Sequence, residues 1–547
     1  MMIGLKRPMR LALAMLAYVL PNLLPVSTAA ADGREDSKHR VMQKNAELLL
    51  RVGSTIVPTT QLETYKEGPT EGRWTWIEAE SGRARGWAKA DELVRLDEAV
   101  PFFSGEIHAS PADPLLHIKR AKAYEALGKP DQALQDYDEA VRLDPSHAWA
   151  YNWRGLFHRA RKEYDAAIDD HSRAVAVEPG RPASYLDRAL CYLDRGRFDD
   201  AIADLEACLR LRPDDAQAYD RLGWAFYSKG QADRAVEYCS KAIQLQPDFE
   251  DAYVDRGIAW FAEGEYDKTI ADETEALRLS PEDPFAFNAR GWALSAKHEY
   301  DRAIQDFDRA IERNPRFARA YTNRGIARAG RKDFDGALRD LDRSIAIAPD
   351  RPRAHLNRGI VHLIKGEVTR AGADFDRAIE LAPNDRWLRY NKLIATLMTD
   401  PAAACDNAAR LLGEVGPRDE LGVYTAILGY LGARKSGRKD DAARFIEMGE
   451  KLAGGRAWQG HLVDYLKDRA DERGLLAAAD GPAQQTQARL MIGLKKSLSS
   501  RREDGLEDLR WVRDHGLSTD ALYPLAVQEL RRLGLAEAQA RPTRPDA

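Results

Sequence analysis

Two histidines, His355 and His362, stand seven residues apart, a spacing that puts both imidazoles on one helix face, where they could hold a metal ion. Four cysteines (Cys191, Cys208, Cys239 and Cys405) are the chain's whole supply of thiols, and no two lie within four residues. That excludes a disulfide scaffold and paired Cys-x-x-Cys zinc sites. Aspartate recurs at Asp136, Asp170, Asp204, Asp272, Asp306, Asp340 and Asp374, which raises the question of paired carboxylates for acid–base catalysis. The sequence has no phosphate-cradling G-x-x-x-x-G-K-[ST], no H-E-x-x-H and no G-x-S-x-G nucleophile elbow.

All of these residues sit inside a repeating pattern. Proline recurs at Pro145, Pro179, Pro213, Pro247, Pro281, Pro315, Pro349 and Pro383, every gap being 34 residues. With each proline as position 32, eight units run from Pro114 to Asp385. Position 8 is then Ala or Gly throughout (Ala121, Gly155, Ala189, Gly223, Gly257, Gly291, Gly325, Gly359), and position 20 is Ala in seven units and Thr269 in the other. Small residues at 8 and 20 let two helices approach closely, and an aromatic at position 4 (Tyr151, Tyr185, Tyr219, Tyr253, Phe287, Tyr321) is expected to fill the gap beside them. Aspartate at position 18 suits the N-terminus of a second helix, and the position-32 proline stops that helix.

This pattern resembles the tetratricopeptide repeat family, whose unit is a helix–turn–helix of 34 residues. The resemblance implies a mainly all-α fold: a right-handed solenoid of eight regular repeats, in which no unit buries its apolar face alone. It also gives the chemical candidates a simpler reading. His355 and His362 fall at positions 4 and 11, which other repeats fill with aromatics, so packing is expected. The cysteines at positions 10, 24 and 27 read as small buried hydrophobes. The aspartates form a column at position 23, matched by arginines at position 7 (Arg120, Arg154, Arg188, Arg256, Arg290, Arg324, Arg358). An ion-pair ladder is predicted. Exposed pairs contribute only about 0–1 kcal/mol, so the ladder is expected to fix register and suppress aggregation.

The flanks have other periods. Residues 1–31 have a secretory leader's layout: Lys6, Arg7 and Arg10, then an apolar run from Leu11 to Leu24, then Ala29-Ala30-Ala31 with cleavage expected after Ala31. No later stretch is apolar enough to span a bilayer. The expected location is periplasmic or extracellular, with no transmembrane anchor in the mature chain. Residues 39–95 are β-rich, and their last strand resembles the closing strand of a bacterial SH3-like β-barrel; Trp74, Trp76 and Trp87 are candidates for an aromatic binding face, with a barrel core as the alternative. Residues 96–113 read as a capping half repeat with Pro101 in its helix. Residues 386–533 are helical with degenerate repeats, and their pattern resembles the C-terminal part of periplasmic repeat adaptors of the NlpI type. That resemblance implies a holder of peptidases or cell-wall hydrolases. Residues 534–547 read as a tail.

With 82 basic and 87 acidic side chains the net charge is −5, which argues against nucleic-acid binding. Neither a catalytic constellation nor a cofactor motif emerges, and the expected function is a non-catalytic scaffold. In arrays of the resembled family the first helix of each unit lines the concave face. Positions 2, 5, 9 and 12 make one stripe of that helix. The candidate groove is Gln217, Asp220, Trp224 and Tyr227 in the fourth repeat, Asp251, Val254, Ile258 and Phe261 in the fifth, and Phe285, Asn288, Trp292 and Ser295 in the sixth. A protein or peptide partner is expected there; peptidoglycan, bound by the β-rich module, is the alternative. Position 9 never carries Asn, so the family's clamp for a terminal carboxylate is not supported.

Overall fold

The computed structural model describes residues 40–533 apart from 44–47, 53–54, 60–63, 72, 80–84, 415–419, 455–456 and 500–502. The leader and the tail read from the sequence lie outside the described residues. The chain divides between Glu263 and Gly264 into two compact units.

The first unit opens with seven short strands: β1 (Arg40–Gln43), β2 (Leu48–Val52), β3 (Thr55–Thr59), β4 (Thr64–Glu71), β5 (Trp74–Ala79), β6 (Arg85–Lys89) and β7 (Leu93–Arg95). They pair antiparallel in the order β3-β2-β6-β5-β4-β1-β7, a curled sheet or half-barrel. Alternation sends Val41, Tyr65, Ile77, Ala88 and Leu93 to its core. β7 leads directly into the helix Leu96–Ala109, which runs through Pro101. Leu96, Ala99 and Phe103 of that helix pack with Met42 and Val94 of the sheet and with Ala123 of the first repeat. The capping helix therefore joins sheet and array through one apolar cluster.

Helix pairs follow: Pro114–Ala126 with Pro130–Leu143, Ala148–Ala160 with Tyr164–Val177, Pro182–Asp194 with Phe198–Leu211, and Ala216–Ser228 with Ala232–Leu245, then the helix Glu250–Glu263. The second unit starts with Tyr266–Leu279 and continues in the same period to Val368–Leu381. The turn inside each unit is fixed by one left-handed residue at position 15. It is glycine at Gly128, Gly196, Gly230, Gly264 and Gly366, but Lys162, His298 and Lys332 in the remaining three.

The close approach at positions 8 and 20 has a direct measure. A Cβ on Gly223 would lie 2.5 Å from Cys239 Sγ and 3.1 Å from the Ala235 carbonyl; on Gly291 it would lie 2.9 Å from Phe307, and on Gly359 2.7 Å from Phe375. The position-24 side chain thus rides over the small residue. The position-4 ring packs beside that contact, as Tyr185 does against the cluster of Ala189 and Ala201. It lies 5.4–5.9 Å from the position-7 guanidinium, as in Arg188 with Tyr185 and Arg324 with Tyr321, within cation–π range. Gly359→Leu is accordingly expected to force the pair Pro352–Lys365 and Val368–Leu381 apart. The expected cost is about 1–3 kcal/mol, read as a lowered urea midpoint.

Beyond the regular repeats the helix pairs continue: Arg386–Thr399 with Pro401–Gly413, Glu420–Lys435 with Lys439–Ala453, and Pro482–Ser497 with Asp504–His515. Gly429 sits under Phe445 and Gly493 under Leu509, the same small-under-large contact as in the array. The C-terminal helices fold back onto the repeats. Ser518 Oγ donates to the Ala329 carbonyl at 2.7 Å, Gln528 Nε2 to the Leu363 carbonyl at 2.6 Å, and Lys332 Nζ to the carbonyls of Arg513 and Asp514. Lys332, the left-handed turn residue of its repeat, thus holds the C-terminal segment through its side chain. No helix among the described residues is long and apolar enough to cross a membrane.

Candidate functional site

The charged columns form first-helix to second-helix pairs in six repeats. Arg120–Asp136, Arg154–Asp170, Arg188–Asp204, Arg290–Asp306, Arg324–Asp340 and Arg358–Asp374 meet at 2.6–2.8 Å. The expectation of exposed pairs is wrong. The aspartate side chains are only 4–10% exposed, because the position-23 carboxylate lies between the two helices of its unit. Each arginine also reaches back to position 25 of the preceding unit, as in Arg154 to Asp138 (2.8 Å), Arg188 to Ser172 (3.1 Å) and Arg290 to Thr274 (3.2 Å). The truly exposed ladder is a second one: Arg195–Asp165, Lys229–Asp199, Lys297–Asp267, Arg331–Asp301 and Lys365–Asp335 link neighbouring units at the surface.

The histidines decorate the buried pairs. His355 Nδ1 lies 3.5 Å and His362 Nε2 3.9 Å from the Asp374 carboxylate, while His355 Nε2 lies 3.0 Å from the Pro349 carbonyl. All four cysteines are free and buried, and burial pushes the Cys191 and Cys208 thiols up to about 12.

The inner stripe differs between the two units. In the first unit, Trp224 and Tyr227 are half-buried on the helix Ala216–Ser228, their ring centroids 5.7 Å apart, and Gln217 is half-buried a turn before Asp220. Asp220 is fully buried, and neither carboxylate oxygen has a hydrogen bond. Arg221 Nε lies 3.4 Å away, and its Nη2 donates to Asp251 at 3.0 Å. Burial raises the Asp220 pKa to about 6; Arg221 works against that and Asp251 adds to it. Asp255, one position beyond the predicted stripe, is raised well above the carboxylate range by burial and by Asp220. On the same helix Asp251 is exposed, Val254 and Ile258 are half-buried and Phe261 is buried.

In the second unit Phe285 packs edge-to-face on Phe317 at 5.0 Å, and Asn288 Oδ1 accepts from Asn323 Nδ2 at 2.9 Å. Ser295 is buried. The Arg353 guanidinium lies 4.5 Å from the Trp292 ring centroid, so this indole is engaged by a side chain two repeats along. Burial, then the charge of Arg319, pushes Arg353 down to about 10. On the sheet, Trp76 and Trp87 are direct cross-strand partners, edge-to-face at 5.6 Å and half-buried, beside the buried Thr75, Ile77 and Ala88. Trp74 pairs with Lys89 in the strand register. Asp255, Arg221 and Arg353 were absent from the predicted set; a charged residue next to the stripe inside an apolar repeat is the signal that could have found them.

The sequence signature of the tetratricopeptide repeat matches residues 118–184, 186–249, 288–352 and 330–386. The central array is built of tetratricopeptide repeats. A curated relative, tetratricopeptide repeat protein 36 of Caenorhabditis elegans, is 42% identical over 52 residues, 10% of this chain; the chain spans only 29% of that relative. Among solved structures, MamA is 27% identical, with 31% of this chain and 93% of that chain covered and a TM-score of 0.28. A tetratricopeptide repeat protein from Parabacteroides merdae is 16% identical, with coverages of 43% and 93% and a TM-score of 0.38.

Proposed function

We propose that the chain is an exported, non-catalytic tetratricopeptide scaffold that captures a peptide or protein partner along the inner faces of its first helices. The repeat array itself supports a scaffold for protein interaction. The observation that carries a groove is the half-buried Trp224–Tyr227 pair on the inner stripe of Ala216–Ser228. Rigid aromatic anchors beside a few polar groups are the usual energetic centre of a protein interface.

Trp224→Ala separates groove from packing. As a groove anchor, Trp224 accounts for about 2 kcal/mol or more of binding, roughly thirtyfold in affinity, with the melting temperature kept. As an inter-repeat plug, its loss costs about 3–5 kcal/mol of stability instead. The assay is melting temperature and crosslinked capture from a periplasmic fraction on the same variant. Lost capture with retained melting supports the groove, and collapsed melting defeats it. Export rests on the layout of residues 1–31; mass spectrometry of the secreted chain should find it starting at Asp32, and an intact Met1 in the cytoplasm defeats that part.

A second reading has its own observation. The Trp76–Trp87 pair stands beside, not in, the apolar cluster of the curled sheet, which suits a cell-wall-associated adaptor whose SH3-like module binds peptidoglycan or peptide. In that reading the repeats recruit a hydrolase or peptidase. Cosedimentation with insoluble peptidoglycan should be lost in Trp87→Ala, and equal sedimentation of both proteins rejects it.

A further inference from the structure

The inner stripe of the sixth to eighth repeats carries charge of one sign. Positions 2, 5, 9 and 12 of these repeats hold Arg319 and Arg353, both at position 2, and no carboxylate. The same positions of the fourth and fifth repeats hold Asp220 and Asp251, and the whole chain has more acidic than basic side chains. The missing carboxylates are therefore a local feature and not a consequence of composition. The helices that carry this stripe, Pro284–Ala296, Ala318–Gly330 and Pro352–Lys365, pack one on the next within the second unit.

Arg353 stands apart from the other arginines of the first helices. Six position-7 arginines each hold a carboxylate of their own repeat, whereas Arg353 joins no ion pair and donates no side-chain hydrogen bond among the described residues. Its guanidinium lies 4.5 Å from the Trp292 ring centroid, which fixes the charge over an indole face without neutralising it. Nη2 is shut off from water with no acceptor, and an unpaired buried polar group costs stability. The residue as a whole is only half-buried, and Nε and Nη1 are not shut off with it. The charged side chain that acts on it is a second cation, Arg319.

The place is not filled by the chain's own C-terminal segment. Gln528 covers the other end of the same helix, at the Leu363 carbonyl, about three turns from Arg353. Phe285, Trp292 and Ile326 of the stripe are half-buried as well, so apolar surface is open beside the charge.

We propose that this stripe binds an acidic peptide segment, with an aspartate or glutamate side chain of the segment on the Arg353 guanidinium and its apolar neighbours along Phe285 and Trp292. The proposal rests on the inner-face reading above and names the charge of the partner taken by the second unit. A carboxylate supplies the acceptor that Arg353 lacks, in a charge-assisted hydrogen bond, and it offsets the repulsion between Arg353 and Arg319. A neutral segment leaves the guanidinium unpaired, and a basic one meets two like charges.

The test uses the full chain and a soluble alanine-based peptide with spaced glutamates, acetylated and amidated so that its ends are uncharged, beside a glutamine counterpart. In calorimetric titrations at neutral pH the glutamate peptide should bind about tenfold or more tightly than the glutamine peptide, and the margin should shrink as salt is added. In Arg353→Gln the preference should vanish with the melting temperature kept, and Arg353→Lys, which keeps the charge, should keep most of the preference. Retained preference in Arg353→Gln overturns the proposal. So does a lowered melting temperature in both variants with equal loss of preference, which would make the arginine a latch between repeats. A glutamine peptide with a free C-terminus that binds better than its amide, and only when Arg353 is present, would give the site to a chain terminus and overturn the side-chain assignment. Trp224→Ala keeps the two levels apart. If it weakens both peptides and the parent prefers neither, the groove stands and the acidic subsite falls; if neither peptide binds the parent, both fall.

Discussion

Arg188→Leu is expected to destabilise the third repeat by about 3–5 kcal/mol, the cost of leaving one member of a buried ion pair without its partner. The stranded group is Asp204, whose side chain is 9% exposed and which Arg188 holds through two hydrogen bonds of 2.7 Å. The same substitution removes the 3.1 Å link to Ser172 of the preceding unit, so both the repeat and its interface loosen. The chain contains the control. In the fourth repeat the corresponding positions are Leu222 and Tyr238 rather than arginine and aspartate, and there Leu222 is buried while Tyr238 stacks on Phe226 at 5.2 Å. An apolar pair is therefore a working solution of the same geometry. Arg188→Leu/Asp204→Tyr should recover most of the loss, as buried ion pairs replaced whole by apolar groups often do.

The measurement is the urea midpoint of the single and double variants, with hydrogen exchange over Pro182–Asp194 and Phe198–Leu211 to confirm where the loss falls. In an array whose units contact only their neighbours, the opening should stay near that repeat. A single variant within about 1 kcal/mol of the parent would mean that the pair behaves like an exposed one. For comparison, Lys229→Ala breaks only the surface link to Asp199, which is 85% exposed, and should cost less than about 1 kcal/mol.

How legible these features were depends on what each column of the repeat reports. The 34-residue period, the small residues at 8 and 20 and the helix-stopping prolines state backbone geometry, which a single sequence displays eight times over. The left-handed turn residue was equally readable, since glycine holds position 15 in five repeats. Burial of the position-23 aspartates was not. A charged column looks like a solvated face unless the arginine that encloses it is placed in three dimensions. The inner stripe was legible as positions but not as contacts: Trp224 and Trp292 occupy the same register, yet Arg353 from a later repeat lies over only the second. The return of the C-terminal segment onto Ala329 and Leu363 joins residues more than 160 apart and leaves no periodic trace.

His171→Leu is expected to make the second and third repeats markedly more resistant to acid. His171 occupies position 24, where other repeats place Tyr137, Leu205, Phe307, Leu341 and Phe375 over the small residue at position 8. Its ring fills the space beside Gly155, at 2.8 Å from where a Cβ would be, and its Nδ1 lies 3.2 Å from Asn152 Oδ1. Burial, reinforced by the positive charges of Arg159 and Arg188, pushes its pKa down to about 3, against about 6.5 in the unfolded chain. Between those values the unfolded state binds a proton that the native state refuses. Stability therefore rises with pH across this window and is lost as pH falls from about 6.5 toward 3, the full loss being on the order of 5 kcal/mol. Asp220 acts in the opposite sense. Raised to about 6, it takes up a proton in the folded state first, so its burial penalty fades as pH falls from about 6 to 4. The two cannot be separated in the parent protein alone, so the readout is the difference in urea midpoint between His171→Leu and the parent, taken at several pH values. Leucine fits the site, as Leu205 and Leu341 do theirs, and Asn152 keeps its 2.9 Å hydrogen bond to Ser184. The difference should be small at pH 8 and grow steadily below pH 6; a difference that stays flat down to pH 4 would mean that the imidazole is protonated in the folded core.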